Sequence, residues 1–538
     1  MTPFARSAVR EVPGPPNWDA LLDGLRRKRG FWLLEDARPA SPRAAHAGAA
    51  PQAQAASPPG GVGAARWSFA GCDPALVLRS RGDRLALDAS RPLADRWPPP
   101  RLRWRGDPLA ELRAWLPRAP RDDGAASGVP FSGGLVGWLG YELAARLERL
   151  AWSGLDDVGL PELRMALADR VLARDAASGR LWAAALGFGA DPDAAGAAAA
   201  RAAERLAARV AGGEPDPFEA PDAPPWPQGA APAPGPEPLR LVDPATGLAL
   251  GAWFDEAAYQ KAVRRVQEAI LAGDVYQANL THRLAAPCAA DPWSLYTTLR
   301  RRNPAPFAAF LATPDAAVVG SSPECFLRLA PDGTVESRPI KGTRPRGATP
   351  AADAALRASL SESAKERAEN VMIVDLVRND LGRACVPGSV AVPALFALEP
   401  HATVWQMVST VRGRLRPGLD AVDALCAAFP PGSMTGAPKL AAIELLAGLE
   451  PVRRGAYAGA LGWLDARGGA ELAVVIRTLF VRPGRAWLHV GGGIVLDSEP
   501  AAEWAETLAK ARAALDALAA APTGGDPALR GAGAGVRG

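Results

Sequence analysis

Lys341 stands in the run Arg338-Pro-Ile-Lys-Gly-Thr-Arg-Pro-Arg-Gly347, an amine among fixed cations. An amine attacks carbon only when unprotonated, and burial and neighbouring positive charge both lower a lysine pKa toward the working pH. Arg338, Arg344 and Arg346 are therefore expected to make Lys341 a nucleophile. The plain alternative is a solvated loop lysine beside a Pro/Gly turn. Glu324, in Ser322-Pro-Glu-Cys-Phe-Leu327, sits at a strand start, and the turn Pro331-Asp-Gly-Thr334 joins that strand to the Lys341 strand. Hairpin pairing can then set a carboxylic acid beside the amine, the minimum equipment for displacing a poor oxygen leaving group.

Carboxylates on two helices extend the pattern. Between Ser363 and Leu381, Val371, Val374 and Leu381 mark a buried face, while Glu366, Glu369 and Asn370 share another stripe. Near the end of the chain Pro500 suits the first turn of a helix whose apolar stripe is Trp504, Leu508, Ala511 and Leu515. Glu503, Glu506 and Lys510 fall on a second stripe, for which a solvated charged face is the plain explanation. That helix follows directly on His489-Val-Gly-Gly-Gly-Ile-Val-Leu-Asp497, where three glycines let backbone approach a ligand and offer bare N–H groups to an anion. Glutamates converging with waters and a substrate carboxylate are what Mg2+ requires.

The elements that must position these groups are legible. Asp255 caps a helix striped by Tyr259, Val263, Val266 and Ile270 and stopped by Gly273, and 274–281 then alternates as a strand carrying Gln277 and Asn279. Upstream, Phe31 to Leu34 reads as a strand, Val77 to Ser80 with Arg84 to Leu87 as a hairpin, and 193–211 as a helix ending at Gly212. The glycines of Phe131 to Tyr141 fit neither dinucleotide nor phosphate-loop spacing, and close strand packing explains them. Ala/Pro/Gly-rich stretches divide the chain into an N-terminal region 1–210 with a flexible insertion at about 38–64, a linker 211–245, a catalytic domain 246–517 and a disordered tail 518–538.

Composition narrows the chemistry. The chain has 538 residues, is 48% hydrophobic and lacks apolar runs long enough for a bilayer, so no membrane is expected. A net charge of +4 leaves no basic stripe for nucleic acid. Five scattered cysteines without a C-x-x-C pair argue against zinc and for a reducing compartment, and the N-terminus lacks a secretory apolar core, so the expected location is cytoplasmic. With only four histidines, none in a triad context, acid–base work falls to carboxylates and lysine, and any metal is a hard cation.

The segments SPECFL (322–327), PIKGTRPRG (339–347), KERAENVMIVDLVRNDLGR (365–383), FPPGSMTGAPK (429–439), VIRTLFV (475–481) and GGGIVLDSEPAAEWAET (491–507) resemble the chorismate-utilising enzymes, and within them the aminodeoxychorismate (para-aminobenzoate) synthase component I branch. The resemblance is dense over about 245–515 and looser before it. It implies an α/β (α+β) fold, a large two-part sandwich of mostly antiparallel sheets with outer helices like that of anthranilate synthase component I. It implies Mg2+ on Glu369 and Glu506 with Glu503 close by, and an enolpyruvyl carboxylate on Arg477 and the backbone of Gly491, Gly492 and Gly493, with Tyr457 alongside. Gly342, Thr343, Ser433 and Lys510 would complete the pocket. Lys341 would attack chorismate at C2 as the C4 hydroxyl leaves with a proton from Glu324, and ammonia would then attack C4 and expel the lysine, giving 4-amino-4-deoxychorismate on the route to para-aminobenzoate and folate.

Three positions sort the branches of that family. Anthranilate synthases carry alanine at the position of Lys341 and a histidine where this chain has Gln406, and isochorismate and salicylate synthases carry a lysine base at the position of Gln277. The glutamine here marks an amino-transferring enzyme. None of the cysteines lies in a G-x-C-x-G context, so ammonia is expected from a separate glutamine amidotransferase subunit in a heterodimer. The alternatives are an anthranilate synthase component I and a catalytically silent scaffold. Related proteins hold a tryptophan pocket around the equivalents of Leu33 to Asp36 and Pro306 to Ala308.

Overall fold

The computed structural model describes residues 3–38, 67–94, 101–223 and 239–521. Nearly all of the expected insertion (39–64), the middle of the linker (224–238) and the tail from 522 lie outside the described residues. The flanks of the linker are packed: Phe218 is fully buried, and the strand Leu239–Val242 pairs with Ala249–Ala252. The final helix, Pro500–Ala520, runs three residues into the segment read as tail.

Among the described residues two sheets, of 13 and 12 strands, carry the molecule, and every ladder between their strands is antiparallel. Both sheets are assembled from both halves of the chain. Trp32–Glu35 pairs with Phe307–Ala312 in the first, with Ala308 opposite Glu35. Gly134–Leu139 pairs with Ala460–Asp465 in the second, with Gly462 opposite Gly137. The sheets meet over one large core in which Phe131 stacks on Trp463 at 5.0 Å and Trp138 is wholly enclosed. Each such fully buried large apolar side chain contributes about 1.5–3 kcal/mol. The glycine run is explained by closeness, since a Cβ on Gly137 would lie 1.9 Å from the carbonyl oxygen of Arg164. Among the described residues no helix is long and apolar enough to cross a membrane.

Local sequence sets the helix ends near the site. Asp255 accepts from Ala258 N at 2.7 Å to start Glu256–Ala272, and Gly273, at φ +84, stops it. Glu499 accepts from Ala501 N and Ala502 N, with Pro500 in the first turn, to start the final helix. Ser363 caps Ala364–Gly382, the helix that carries Glu369. Its buried face differs from the expected one. Val371 is 40% exposed, and the seam is Asn370, Ile373, Val374, Val377 and Leu381. Those spacings keep one line along the helix, whereas residue 371 is turned about 100° from Asn370. Asn370 is tolerated in the seam because its Oδ1 accepts from Ser409 Oγ at 2.5 Å and its Nδ2 donates to Met407 O at 3.4 Å.

The hairpin reading of Lys341 is also corrected. Cys325–Leu329 and Thr334–Arg338 do pair, with Cys325 opposite Arg338. Lys341 lies beyond them, in Ile340–Pro345, which pairs instead with Val404–Arg414. Pro339 has no N–H to continue the first ladder, and its carbonyl accepts from Ser409 N at 3.1 Å in the new one.

Candidate active site

A cavity of about 780 Å³ opens between the Lys341 strand, the Glu369 helix, the final helix and the glycine strand Gly484–Ile494. Lys341, Glu324, Gly342, Thr343, Ser433, Tyr457 and Arg477 line it. Gly491, Gly493, Lys510, Glu369, Glu503 and Glu506 complete that part of the wall. Two expected residues are not part of the wall itself. Gln277 is buried beside Gly493, where a Cβ would come within 2.2 Å of its Nε2 and 3.5 Å of Lys341 Nζ. Gly492 backs onto Glu503, its hypothetical Cβ 2.9 Å from Oε2. Both glycines are there because side chains already fill the space.

Lys341 Nζ makes a single long contact, 3.4 Å to the carbonyl oxygen of Ser433. Burial lowers its pKa below the ordinary lysine value, helped by the nearby Lys510 ammonium and opposed by Glu369, Glu324 and Glu506. The three arginines expected to do this are spoken for. Arg338 pairs with Glu399, Arg344 with Glu366 at 3.0 Å, and Arg346 with Asp353 at 2.7 Å. Each charge is cancelled locally, so it is chiefly desolvation that lowers the pKa of the amine. Glu324 moves in the complementary direction. Buried to 5% exposure, its carboxyl is pushed up by desolvation, against the Ser433 hydroxyl, Lys341 and the Ile340 N–H, which favour the anion. An amine shifted down and an acid shifted up now share one cavity.

The three glutamates come from two helices and face cations. Lys365 Nζ lies 4.0 Å from Glu369 Oε1 and 3.9 Å from Glu503 Oε1. Lys510 Nζ lies 2.7 Å from Glu506 Oε1 and donates to Gly491 O at 2.9 Å. Glu503 also accepts from Ser498 Oγ at 2.6 Å. Burial raises the pKa of Glu369 and of Glu503, and Lys510 lowers that of Glu506. Among the described residues no three His, Cys, Asp or Glu side chains close into a metal-holding group. The donor set still suits a hard cation, because the carboxylates of buried Glu503 and half-buried Glu369 offer oxygen ligands and both already face one positive charge, the Lys365 ammonium.

At the opposite wall Arg477 sits at φ +50, a left-handed conformation uncommon for a residue with a Cβ. It has no ion pair among the described residues, and burial lowers its pKa. Pairing of the glycine strand with Thr478–Arg482 ends at Leu488, so beyond that point no strand occupies this edge among the described residues. Tyr457 stacks on His489 at 4.8 Å. A free guanidinium beside an open strand edge is an anion receptor.

Sequence reasoning overlooked several contributors. Lys365 precedes Glu369 by four residues, a spacing that could have exposed it. His489 lines the cavity too; Gln406, already singled out as a branch-sorting position, joins it there, 2% exposed with Oε1 unpartnered. Lys439 ties the loop bearing Ser433 to the Glu369 helix, donating to Asp380 at 2.7 Å and to the carbonyls of Ala428 and Pro430 at 2.8 and 3.0 Å. No local pattern announces that partnership.

Comparison with known proteins adds to this geometry. The family described as chorismate binding enzyme matches residues 101–516. Aminodeoxychorismate synthase of Streptomyces pristinaespiralis is 44% identical over 74% of this chain and 53% of its own length, so the chain spans about half of that relative. Aminodeoxychorismate synthase component 1 of Bacillus subtilis is 34% identical over 84% of this chain and 89% of its own length. The crystal structure of anthranilate synthase component I from Streptococcus pneumoniae superposes with a TM-score of 0.66 at 27% identity, covering 84% of this chain and 92% of that one.

Proposed function

We propose that this chain, which belongs to the chorismate-binding enzyme family, converts chorismate and ammonia to 4-amino-4-deoxychorismate, with the ammonia delivered by a glutamine amidotransferase partner. The observation that carries the reading is the desolvated, almost unpartnered amine of Lys341 in the same cavity as a carboxyl whose pKa burial raises. Neutral Lys341 attacks C2 of chorismate, the double bonds shift, and the C4 hydroxyl departs as water with the proton of Glu324. Ammonia then attacks C4, the double bonds shift back, the amine of Lys341 leaves, and the new ammonium returns a proton to the Glu324 carboxylate, restoring the enzyme with nitrogen in place of the hydroxyl.

The remaining residues bind and orient. Arg477 and the backbone at Gly491 and Gly493 receive the enolpyruvyl carboxylate, with Tyr457 beside it, Gly492 in the same strand and Gln277 on the Lys341 side of Gly493. Gly342 and Thr343 fix the turn of the Lys341 strand, and Ser433 touches both reacting side chains through its carbonyl and hydroxyl. Glu369, Glu503 and Glu506 would hold Mg2+, and Lys365 would give up its place between the first two. The ion, when bound, neutralises the ring carboxylate and draws electron density from the diene.

An anthranilate synthase is the second reading, favoured by the likeness to the streptococcal structure. The two separate in one assay, in which purified protein meets chorismate, Mg2+ and an ammonium salt and the products are resolved by mass. The expected product retains the enolpyruvyl group; anthranilate or isochorismate as the main product overturns the proposal.

A further inference from the structure

A second cavity, of about 1000 Å³, lies away from the Lys341 site. It opens where Leu76–Arg81 and Arg84–Ala89 of one sheet approach the Phe307–Ala312 and Ala317–Ser322 hairpin of the other. This is the opposite end of the Phe307–Ala312 strand from the residue paired with Glu35. Val77, Ala89, Phe310, Pro314 and Trp293 give it apolar walls. Arg164 is part of its lining, 5% exposed, with its guanidinium 5.5 Å from the Trp138 ring centroid. Among the described residues that guanidinium makes no hydrogen bond and no ion pair, and its Nε is buried without a partner.

The charges around it are already committed. Asp315 pairs with Arg79 at 3.6 Å, and Asp88 is shared by Arg79 and Arg103 at 2.5 and 2.8 Å. Three guanidiniums thus divide two carboxylates, and Asp315 acts on Arg164 only at a distance, without a hydrogen bond or ion pair among the described residues. The rim acids add nothing for it: Asp23 and Asp291 pair with Arg26, and Asp216 and Asp222 with Lys28. An unpaired buried guanidinium is costly, and burial does lower its pKa, to about 10. Such a group is explained when a ligand completes it.

We propose that this pocket binds a small carboxylate with an apolar body, the carboxylate lying on the fork of Arg164 and the body against Val77, Phe310 and Pro314. A planar guanidinium receives a planar carboxylate through two parallel hydrogen bonds, and the walls favour an aromatic or branched remainder.

The test titrates the full chain with benzoate by calorimetry, with benzamide as the control for shape alone and inorganic phosphate as the control for charge alone. Benzoate is expected to bind at least about tenfold more tightly than either control. Arg164→Met is expected to lose that binding, Arg477→Met to retain it, and the melting temperature of Arg164→Met to equal or exceed that of the natural chain. Benzoate binding unchanged in Arg164→Met, lost only in Arg477→Met, or matched by benzamide or phosphate overturns the proposal. Should Arg164→Met fail to fold, Ala89→Trp fills the pocket and leaves the arginine in place. Retained benzoate binding in that variant also overturns it.

Discussion

Lys341 and Lys439 are both enclosed lysines with pKa values lowered first by burial, yet their surroundings differ in kind. Lys439 spends its three donors on Asp380 and two backbone carbonyls within 3.0 Å. Lys341 has one contact at 3.4 Å, and its carboxylate neighbours act at a distance. The same residue type, half-buried in both places, is a rivet in one and a free amine in the other. What separates them is hydrogen bonding: a saturated ammonium is held in its charged form, whereas an unsaturated one can lose its proton and keep a lone pair for carbon.

Four measurements test that contrast. Lys341→Ala should cut 4-amino-4-deoxychorismate formation by about 10³-fold or more and abolish the covalent adduct seen by intact mass with chorismate but no ammonia, while leaving the melting temperature unchanged. An adduct that survives removes Lys341 from its role. Glu324→Gln should slow the reaction by about 10²–10⁴-fold. It should also change the pH profile, because the active form needs neutral Lys341, favoured as pH rises, and protonated Glu324, favoured as it falls. The natural enzyme is thus expected to show a bell lying between the raised value of Glu324 and the lowered value of Lys341, and the variant to lose the alkaline limb. A profile unchanged in Glu324→Gln assigns the proton to another group.

Lys439→Met should reverse the pattern of Lys341→Ala, destabilising the fold by about 3–5 kcal/mol through a stranded Asp380, as read by urea denaturation. Adding Asp380→Leu should recover much of that loss. A Lys439→Met protein as stable as its parent would dissolve the distinction between rivet and nucleophile. Smallest of all, Arg338→Gln and Arg346→Gln should each change the rate by less than about threefold, since their charges are already paired. A large shift in the pH profile of either would restore the arginines as the cause of the low lysine pKa.

Features set by neighbours in sequence were legible in advance, as the Asp255 and Gly273 caps and the Val77–Leu87 hairpin show. Lys341 and the glutamate stripe were legible too, since residue type and helical spacing are local properties. The environment of Lys341 was not. Its nearby arginines turned out neutralised, while Lys510, a cation that does lower its pKa, arrives from a helix far along the chain. Val371 was misplaced for a related reason. An apolar residue looks buried until a distant strand supplies Ser409 and Met407 to satisfy Asn370 one position earlier.

The sharing of both sheets between the two halves has a consequence for how the protein is made. Gly134–Leu139 cannot find its neighbour Ala460–Asp465 until about 320 further residues have left the ribosome, a wait on the order of tens of seconds at ~5–20 residues per second. Through that interval one edge of an apolar strand is unpaired, and Gly134, where a Cβ would lie 2.1 Å from the carbonyl oxygen of Leu464 in the partner not yet synthesised, can do little to hold it straight. The nascent chain is thus most vulnerable to aggregation before its C-terminal half exists.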